Sequence, residues 1–319
     1  MKKILKKLLG ICLIVLVIVI AINYQVVFDF VRGMFYSPSI EMVEVRAKLN
    51  LTSRGEFLFN ASQPEFNDEE KFNENCHSYD EADAILGCYT GQKIYVYNVQ
   101  GDELEGVLEV TAAHELLHAV YERMPDSEKD KLRAVLERVY AENREILAEE
   151  IESYNVAEQL EEIYVRAGTE VKELPEELER HYAEIFKDQD KIASFYESYI
   201  GVFRKLEAEF ESLEAEMKGL EGSINAKTVE YEKGVSDLNG AISRFNNCAN
   251  MAGCFKSNDE FTRRRNELLS WQNSLEALYN EIDELIEKYN ADVVKYNNNV
   301  VRHDNLQNLI NSHVRVEGL

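Results

Sequence analysis

The stretch that decides the fold is KIYVYNVQGDELEGVLEVTAAHELLHAVYER, which runs from Lys93 to Arg123. Residues Lys93 to Val99 are mostly β-branched or aromatic, so they predict a strand that ends before Gly101. A helix is predicted from about Leu104 to Arg123, because apolar residues recur there at helical spacing and a proline follows. The sequence thus places a strand just before a helix that carries two histidines.

That helix contains the motif His114-Glu115-Leu116-Leu117-His118. Histidines four residues apart project from one helical face, so both imidazoles can reach the same metal ion. Zn2+ suits two nitrogens and one carboxylate with a coordination position left open. Glu115, placed beside that position, can take a proton from the attacking water and pass it to a leaving amine. The motif therefore predicts a zinc peptidase centre with Glu115 as its catalytic base.

The segment Gly101–Arg123 resembles the active-site helix of minimal gluzincin-type zinc peptidases, the broad group that includes thermolysin. Leu86–Tyr89 and Glu162–Glu170 are similar to stretches of uncharacterised bacterial membrane-anchored proteins with this core. The resemblance covers about residues 50–190 and implies a small α+β zincin-like domain, a Zn2+ cofactor and a peptide or protein substrate. It also implies that the strand Lys93–Val99 forms the sheet edge along which an extended peptide pairs.

In gluzincins a glutamate from a later helix supplies the third metal ligand, and the matching residue here is Glu162. Four residues further on stands Arg166, where thermolysin-like enzymes carry aspartate. The apolar residues of this predicted helix define a face that leaves Glu162 out, so Glu161 and Glu158 stay open as alternatives. That face consists of Leu160, Ile163, Tyr164 and Ala167.

Four other residues are candidates for supporting roles at this centre. His181 is a candidate ligand, although its charged neighbours are typical of an exposed segment. Glu170 is a candidate for orienting a ligating histidine, and an ordinary surface carboxylate is the alternative. Tyr121 and Tyr164 are candidates for stabilising a transition state, and packing in the core is the alternative for both.

The N-terminus carries an apolar run of 15 residues, LLGICLIVLVIVIAI, from Leu8 to Ile22. Four lysines precede this run, at positions 2, 3, 6 and 7, and the positive-inside rule puts them in the cytoplasm. Ala21-Ile22-Asn23 lacks the small residues of a signal-peptidase site, which favours a retained anchor over a cleaved signal peptide. We therefore expect a single-pass protein of the cell membrane, with the region after the anchor outside the cytoplasm.

Two pairs of cysteines lie close in sequence, Cys76 with Cys88 and Cys248 with Cys254. Such spacing predicts local disulfides in an oxidising compartment, in agreement with the predicted orientation. The net charge of −24 argues against a nucleic-acid partner, because phosphate binding needs clustered cations.

From about residue 191 apolar residues recur every seven positions, and proline is absent after Pro175. Two such series separated by a polar loop predict an antiparallel coiled-coil hairpin with its tip near residues 246–257. The first arm carries Phe203, Phe210, Met217, Ile224, Tyr231, Leu238 and Phe245, and the second carries Phe261, Leu268, Leu275, Ile282, Tyr289 and Tyr296.

The predicted chain is therefore mainly α, with a membrane anchor at residues 1–25, a zincin-like domain at 26–190 and the hairpin at 191–319. Within the domain, the sequence also predicts a short strand at Glu56–Phe59 and a helix from about Ile146 that ends before Gly168. The expected function is peptide hydrolysis at a membrane. The alternative is a non-catalytic surface protein whose hairpin binds a protein partner and whose zinc is only structural.

Overall fold

A computed structural model describes residues 23–76, 85–151 and 156–312 of the chain. The predicted anchor at residues 1–25, with Cys12 inside it, falls almost entirely outside these ranges. Among the helices within the ranges, none is long and apolar enough to cross a bilayer. The anchor therefore stays a prediction from the sequence.

The described part of the chain is mainly helical, as predicted, with one small sheet. Its helices are α1 (Tyr24–Met34), α2 (Ile40–Leu49), α3 (Ser53–Ala61), α4 (Glu69–Asn75), α5 (Val107–Glu122), α6 (Asp126–Glu142), α7 (Arg144–Ile151), α8 (Val156–Glu170), α9 (Glu176–Tyr182), α10 (Gln189–Ala249) and α11 (Asn258–Ile310). Its strands are β1 (Glu65–Asn67), β2 (Gly87–Thr90) and β3 (Lys93–Tyr97).

The chain divides into two compact units. The first runs to Phe203 and takes in the chain again from Asn305 onward, and the second comprises Arg204–Asp304. The sheet, helices α1 to α9, and the predicted metal-binding residues all belong to the first unit.

The sheet has the strand order β1-β3-β2, so the strand predicted before the motif helix is its central strand. β3 pairs in parallel with β1, where Val96 lies opposite Phe66, and antiparallel with β2, where Tyr95 lies opposite Cys88. The predicted role of Lys93–Val99 as the free sheet edge is therefore wrong, because a neighbouring strand occupies each side of β3. The edge strand next to the motif helix is β2.

The motif helix α5 packs closely on α8, and Gly168 marks the contact. A Cβ at Gly168 would lie 2.5 Å from Leu117 Cδ1 and 2.7 Å from Tyr182 Cε1. The prediction that a helix ends at Gly168 is therefore wrong, because this glycine serves close packing and α8 continues to Glu170. From Glu162 to Glu170 every residue of α8 is buried.

The predicted strand at Glu56–Phe59 is also wrong, since these residues lie within helix α3. The Thr52 hydroxyl caps this helix by accepting a hydrogen bond from the backbone N–H of Gly55. Phe59 is fully buried and belongs to the same core as Leu116 and Leu117 of α5. Helix α3 thus contributes to the core beneath the motif helix.

The second unit is a pair of antiparallel helical arms from α10 and α11. The rings of Phe210 and Tyr296 lie 5.1 Å apart, and nearer the tip those of Phe245 and Phe261 also lie 5.1 Å apart. From the first pair to the second, the residue number rises on α10 and falls on α11. The two arms therefore run antiparallel, as predicted. Residues 250–257 join the arms, within the predicted tip.

Both predicted disulfides are confirmed. Cys76 at the end of α4 is bonded to Cys88 in β2, and Cys248 is bonded to Cys254 at the tip of the hairpin. The first bond ties the edge strand to a helix of the first unit, and the second closes the loop between the two arms.

Candidate metal centre

Helix α5 begins at a close contact that only glycine permits. Gly106 precedes the helix with a φ of 96°, and a Cβ there would lie 2.5 Å from the carbonyl oxygen of Phe195. From Glu109 to Tyr121 every residue of α5 is buried except the two motif histidines. The core therefore fixes the helix on most sides and leaves His114 and His118 facing partly accessible space.

Helix α8 brings a carboxylate to these two imidazoles. His114 Nε2 lies 3.7 Å from Glu162 Oε1, and His118 Nε2 lies 3.6 Å from Glu162 Oε2. In the described part of the chain, these three residues form a group whose ligand atoms all lie within 4.8 Å of one another. Glu162 is buried, while each histidine keeps more than a fifth of its side chain exposed.

The donor set fits a zinc ion. Bonds of about 2.0–2.1 Å at tetrahedral angles put neighbouring ligand atoms about 3.3 Å apart. The observed separations of 3.6 and 3.7 Å require only small side-chain movements to reach that value. Two imidazole nitrogens and one carboxylate are also the ligands of several zinc sites that keep one position open.

Glu161 contacts the opposite side of the second histidine. Its Oε1 lies 2.9 Å from His118 Nδ1. A carboxylate at this distance favours the proton on Nδ1 and leaves Nε2 toward Glu162. Burial alone would lower the pKa of His118, but the hydrogen bond to Glu161 and the nearby Glu115 and Glu162 carboxylates raise it to about 9.

Glu115 lies on the same stretch of helix and is buried. Burial and, to a smaller extent, the neighbouring Glu162 carboxylate raise its pKa to about 7, although the charge on His118 opposes the rise. A carboxyl group with such a pKa can take up and release a proton near neutral pH. Strand β2 packs directly on it, since a Cβ at Gly87 would lie 2.6 Å from Glu115 Oε1 and 2.7 Å from Thr111 Cγ2.

The pKa of His114 is shifted in the opposite direction to that of His118. Burial lowers the pKa of His114 well below its ordinary value, and the positive charges on His118 and Arg166 lower it further. A neutral imidazole offers its nitrogen lone pair to a cation. Arg166 in turn makes a bidentate ion pair with Glu170, at 2.9 and 3.0 Å, inside the core. Glu170 therefore pairs with a buried arginine.

Among the remaining sequence candidates, Glu158 and His181 are not members of the group of three. Glu158 is exposed. Tyr164 is fully buried, and its hydroxyl lies 3.0 Å from His181 Nε2, so these two form a buried pair in the core. His181 is thus buried, and the expectation of an exposed histidine is wrong. The ring centroids of Tyr121 and Tyr164 lie 5.2 Å apart. Both tyrosines therefore pack in the core, which is the alternative to a role in catalysis.

Two residues of the site escaped the sequence interpretation. The sequence gives no specific role to Gly87, although the absence of a side chain there makes room for Glu115. The sequence offers Glu161 as an alternative third ligand, whereas in the structure its carboxylate contacts His118 Nδ1. The helix geometry could have indicated this role. Adjacent residues of a helix point about 100° apart, so Glu161 and Glu162 are not expected to bind the same ion.

No family model, curated protein or solved structure matches the chain. The resemblance to gluzincin-type peptidases therefore rests only on the sequence stretches that carry it, Gly101–Arg123, Leu86–Tyr89 and Glu162–Glu170. Any function for this chain has to follow from the geometry and chemistry of the centre itself.

Proposed function

We propose that this protein is a membrane-anchored, zinc-dependent peptidase of gluzincin type whose centre lies outside the cytoplasm. The observation that carries the proposal is the convergence of His114 Nε2, His118 Nε2 and the Glu162 carboxylate, with Glu115 on the same helix. A zinc ion, when bound, supplies a Lewis acid that makes water a stronger nucleophile at neutral pH.

The other groups of the centre have roles that follow from their surroundings. Glu115 takes a proton from the water that attacks the peptide carbonyl carbon. When the carbon–nitrogen bond breaks, the same carboxyl group donates that proton to the leaving amine. Glu161 keeps His118 in the orientation and tautomer that a ligand needs.

Strand β2 provides the place for a substrate. It is an edge strand of the sheet and begins at Gly87, against Glu115. An extended peptide that pairs with such an edge is held by main-chain hydrogen bonds, with little demand on its sequence. We infer that the substrate is a peptide or protein that binds along β2 with its cleaved bond beside Glu115.

The location rests on other observations. The apolar run Leu8–Ile22 and the lysines before it support an anchor with the N-terminus in the cytoplasm. The Cys76–Cys88 and Cys248–Cys254 disulfides support an oxidising compartment for the rest of the chain.

The experiment uses the full chain purified in a mild detergent. Zinc is measured by elemental analysis in the wild type, in His114→Ala and in His303→Ala, which makes the same change at a histidine of the hairpin. Hydrolysis of casein and of a peptide library is measured in the wild type and in Glu115→Gln. We expect about one zinc per chain in the wild type and in His303→Ala, much less in His114→Ala, and no hydrolysis by Glu115→Gln. Equal zinc in all three chains, or equal hydrolysis by Glu115→Gln, would refute the proposal.

The alternative is a surface protein that uses its hairpin to bind a protein partner. Apolar side chains on the hairpin favour it, because Val229 and Val294 are 66% and 60% exposed. Under this alternative the zinc would be structural, and such sites have four protein ligands. A zinc site with four protein ligands, together with an unchanged phenotype of Glu115→Gln cells, would favour the alternative.

A further inference from the structure

Helix α1 has the reverse of the usual amphipathic arrangement. Its polar residues Gln25, Asp29 and Arg32 face the protein, and Asp29 is only 2% exposed. Its outward surface is formed by apolar side chains, and Phe30 is 56% exposed. We call this surface the α1 face; it consists of Tyr24, Val26, Val27, Phe28, Phe30, Val31, Met34 and Phe35.

The inward polar residues are held by specific bonds. Asp29 forms a bidentate ion pair with Arg123 at the end of the motif helix, with both contacts at 2.9 Å. Arg32 donates hydrogen bonds to the carbonyl oxygens of Ala61 and Gln92, at 2.8 and 2.9 Å. These bonds fix the orientation of α1 about its own axis, so its apolar side chains face outward.

A surface of eight adjacent apolar residues is unusual for a protein in water, and it marks a site of interaction. The α1 face contains no charged side chain, and a single residue, Asn23, separates it from the apolar run Leu8–Ile22. If that run crosses the bilayer as proposed, then Tyr24 lies at the boundary of the lipid, where tyrosine is favoured. The charged groups of α1 are bonded to protein, which is the requirement for a helix in contact with lipid.

We propose that the α1 face lies in the outer surface of the lipid bilayer, so that the first unit is seated on the membrane and not merely tethered to it. Helix α1 has 11 residues and is therefore about 17 Å long, which suits a helix lying along the bilayer surface. Lipid is the occupant of this face because the apolar run adjoins it directly.

This seating would also select the substrate, a consequence that rests on the proposed peptidase function. Strand β2 begins beside Glu115 and leads to the turn at Gln92, whose carbonyl oxygen is bonded to Arg32 of α1. The four residues of β2 span about 10 Å at about 3.3 Å per residue. A peptide paired with β2 would thus reach from the metal centre to the membrane surface. The substrate class would be segments of membrane-anchored proteins within a few residues of the bilayer.

The test uses the full chain in phospholipid nanodiscs, with Cys12→Ser as the background. An environment-sensitive dye is attached in separate samples at Val17→Cys in the apolar run, Phe30→Cys on the α1 face and Arg133→Cys on exposed α6. Quenching by spin-labelled lipids is then measured. We expect several-fold stronger quenching at positions 17 and 30 than at position 133.

Quenching at position 17 but not at 30 would overturn the proposal and leave the anchor standing. Absence of quenching at both positions would also refute the membrane anchor. Energy transfer between dyes at position 30, without quenching there, would show that a second copy of the chain covers the α1 face. If Phe30→Cys fails to bind zinc like the wild type, Phe28→Cys, on the same face, takes its place. None of these readouts depends on peptide hydrolysis.

The substrate consequence has its own measurement. A casein peptide is attached to a lipid through a spacer of about four or about thirty residues. We expect faster cleavage with the short spacer in nanodiscs and equal cleavage in detergent. Equal cleavage in nanodiscs would refute the substrate class, whereas no cleavage anywhere would refute the peptidase function and leave the seating of α1 untouched.

Discussion

Glu161 Oε1 lies 2.9 Å from His118 Nδ1, on the side of the imidazole away from Glu162. The neighbouring residues Glu161 and Glu162 of α8 thus contact the two nitrogens of one histidine. Glu162 faces the space between the two histidines, where we propose a metal ion, and Glu161 holds the imidazole through its other nitrogen.

The first prediction concerns this outer carboxylate. Glu161→Ala should lower zinc affinity by about 10–100-fold, because the imidazole loses the group that fixes its tautomer and orientation. Glu158→Ala, at an exposed glutamate one turn earlier in the same helix, should bind zinc like the wild type. Competition with a chelator of known affinity gives both dissociation constants. Equal affinity in the two variants would show that Glu161 does not position His118.

The second prediction concerns Gly168 in the contact between α5 and α8. Alanine is the better helix former by about 1 kcal/mol, but a Cβ here would meet the side chains of Leu117 and Tyr182 within 2.7 Å. Gly168→Ala should therefore destabilise the first unit by about 1–3 kcal/mol. Gly201→Ala, where the added Cβ meets no atom within 4 Å, should be neutral or stabilising. Denaturant unfolding measures both, and a stabilised Gly168→Ala would contradict the packing.

The third prediction concerns the disulfide that ties β2 to α4. Replacing Cys76 and Cys88 by serine should lower the free energy of unfolding by about 3 kcal/mol and reduce peptide hydrolysis, because β2 is no longer held against Glu115. Replacing Cys248 and Cys254 in the same way should leave hydrolysis unchanged. Equal hydrolysis by the two double variants would show that the position of β2 does not matter for hydrolysis at the metal centre.

The fourth prediction concerns pH. Burial lowers the pKa of His181, and Glu128 at 3.5 Å opposes this only in part. The unfolded chain therefore binds a proton on this residue more readily than the folded one, so stability is lost as pH falls below about 6.5. His181→Gln should flatten the fall in unfolding free energy between about pH 7 and pH 5. Parallel curves for wild type and variant would contradict this.

The motif helix could be predicted from the sequence because its signals are local. The spacing of His114 and His118 alone puts both imidazoles on one face, and Pro125 and the preceding strand bound the helix. The hairpin could also be predicted, since its seven-residue repeat extends over both arms and the polar tip separates them.

The third ligand could not be settled in this way. Helix α8 is buried on all sides from Glu162 to Glu170, so its apolar face does not show which of its residues are buried. An apolar stripe through Leu160 and Tyr164 therefore gave no sign that Glu162 is buried too. Only the packing of α8 on α5 decides which carboxylate meets the histidines.

The strand order and the reversed face of α1 depend on distant contacts. Lys93–Val99 has the strongest strand signal, yet its place in the centre of the sheet follows from pairing with β1 and β2. Asp29 looks like a polar break in an apolar stretch until its ion pair with Arg123, 94 residues away, is seen. Such pairings leave no periodic trace in the sequence.

The most direct test of the account is the zinc dissociation constant of the full chain carrying Glu162→Gln, measured beside the wild type by competition with a chelator. We predict a loss larger than the roughly 10–100-fold expected for Glu161→Ala, because Glu162 contributes a ligand atom itself. Zinc affinity equal to that of the wild type would mean that these three side chains do not hold a metal ion together.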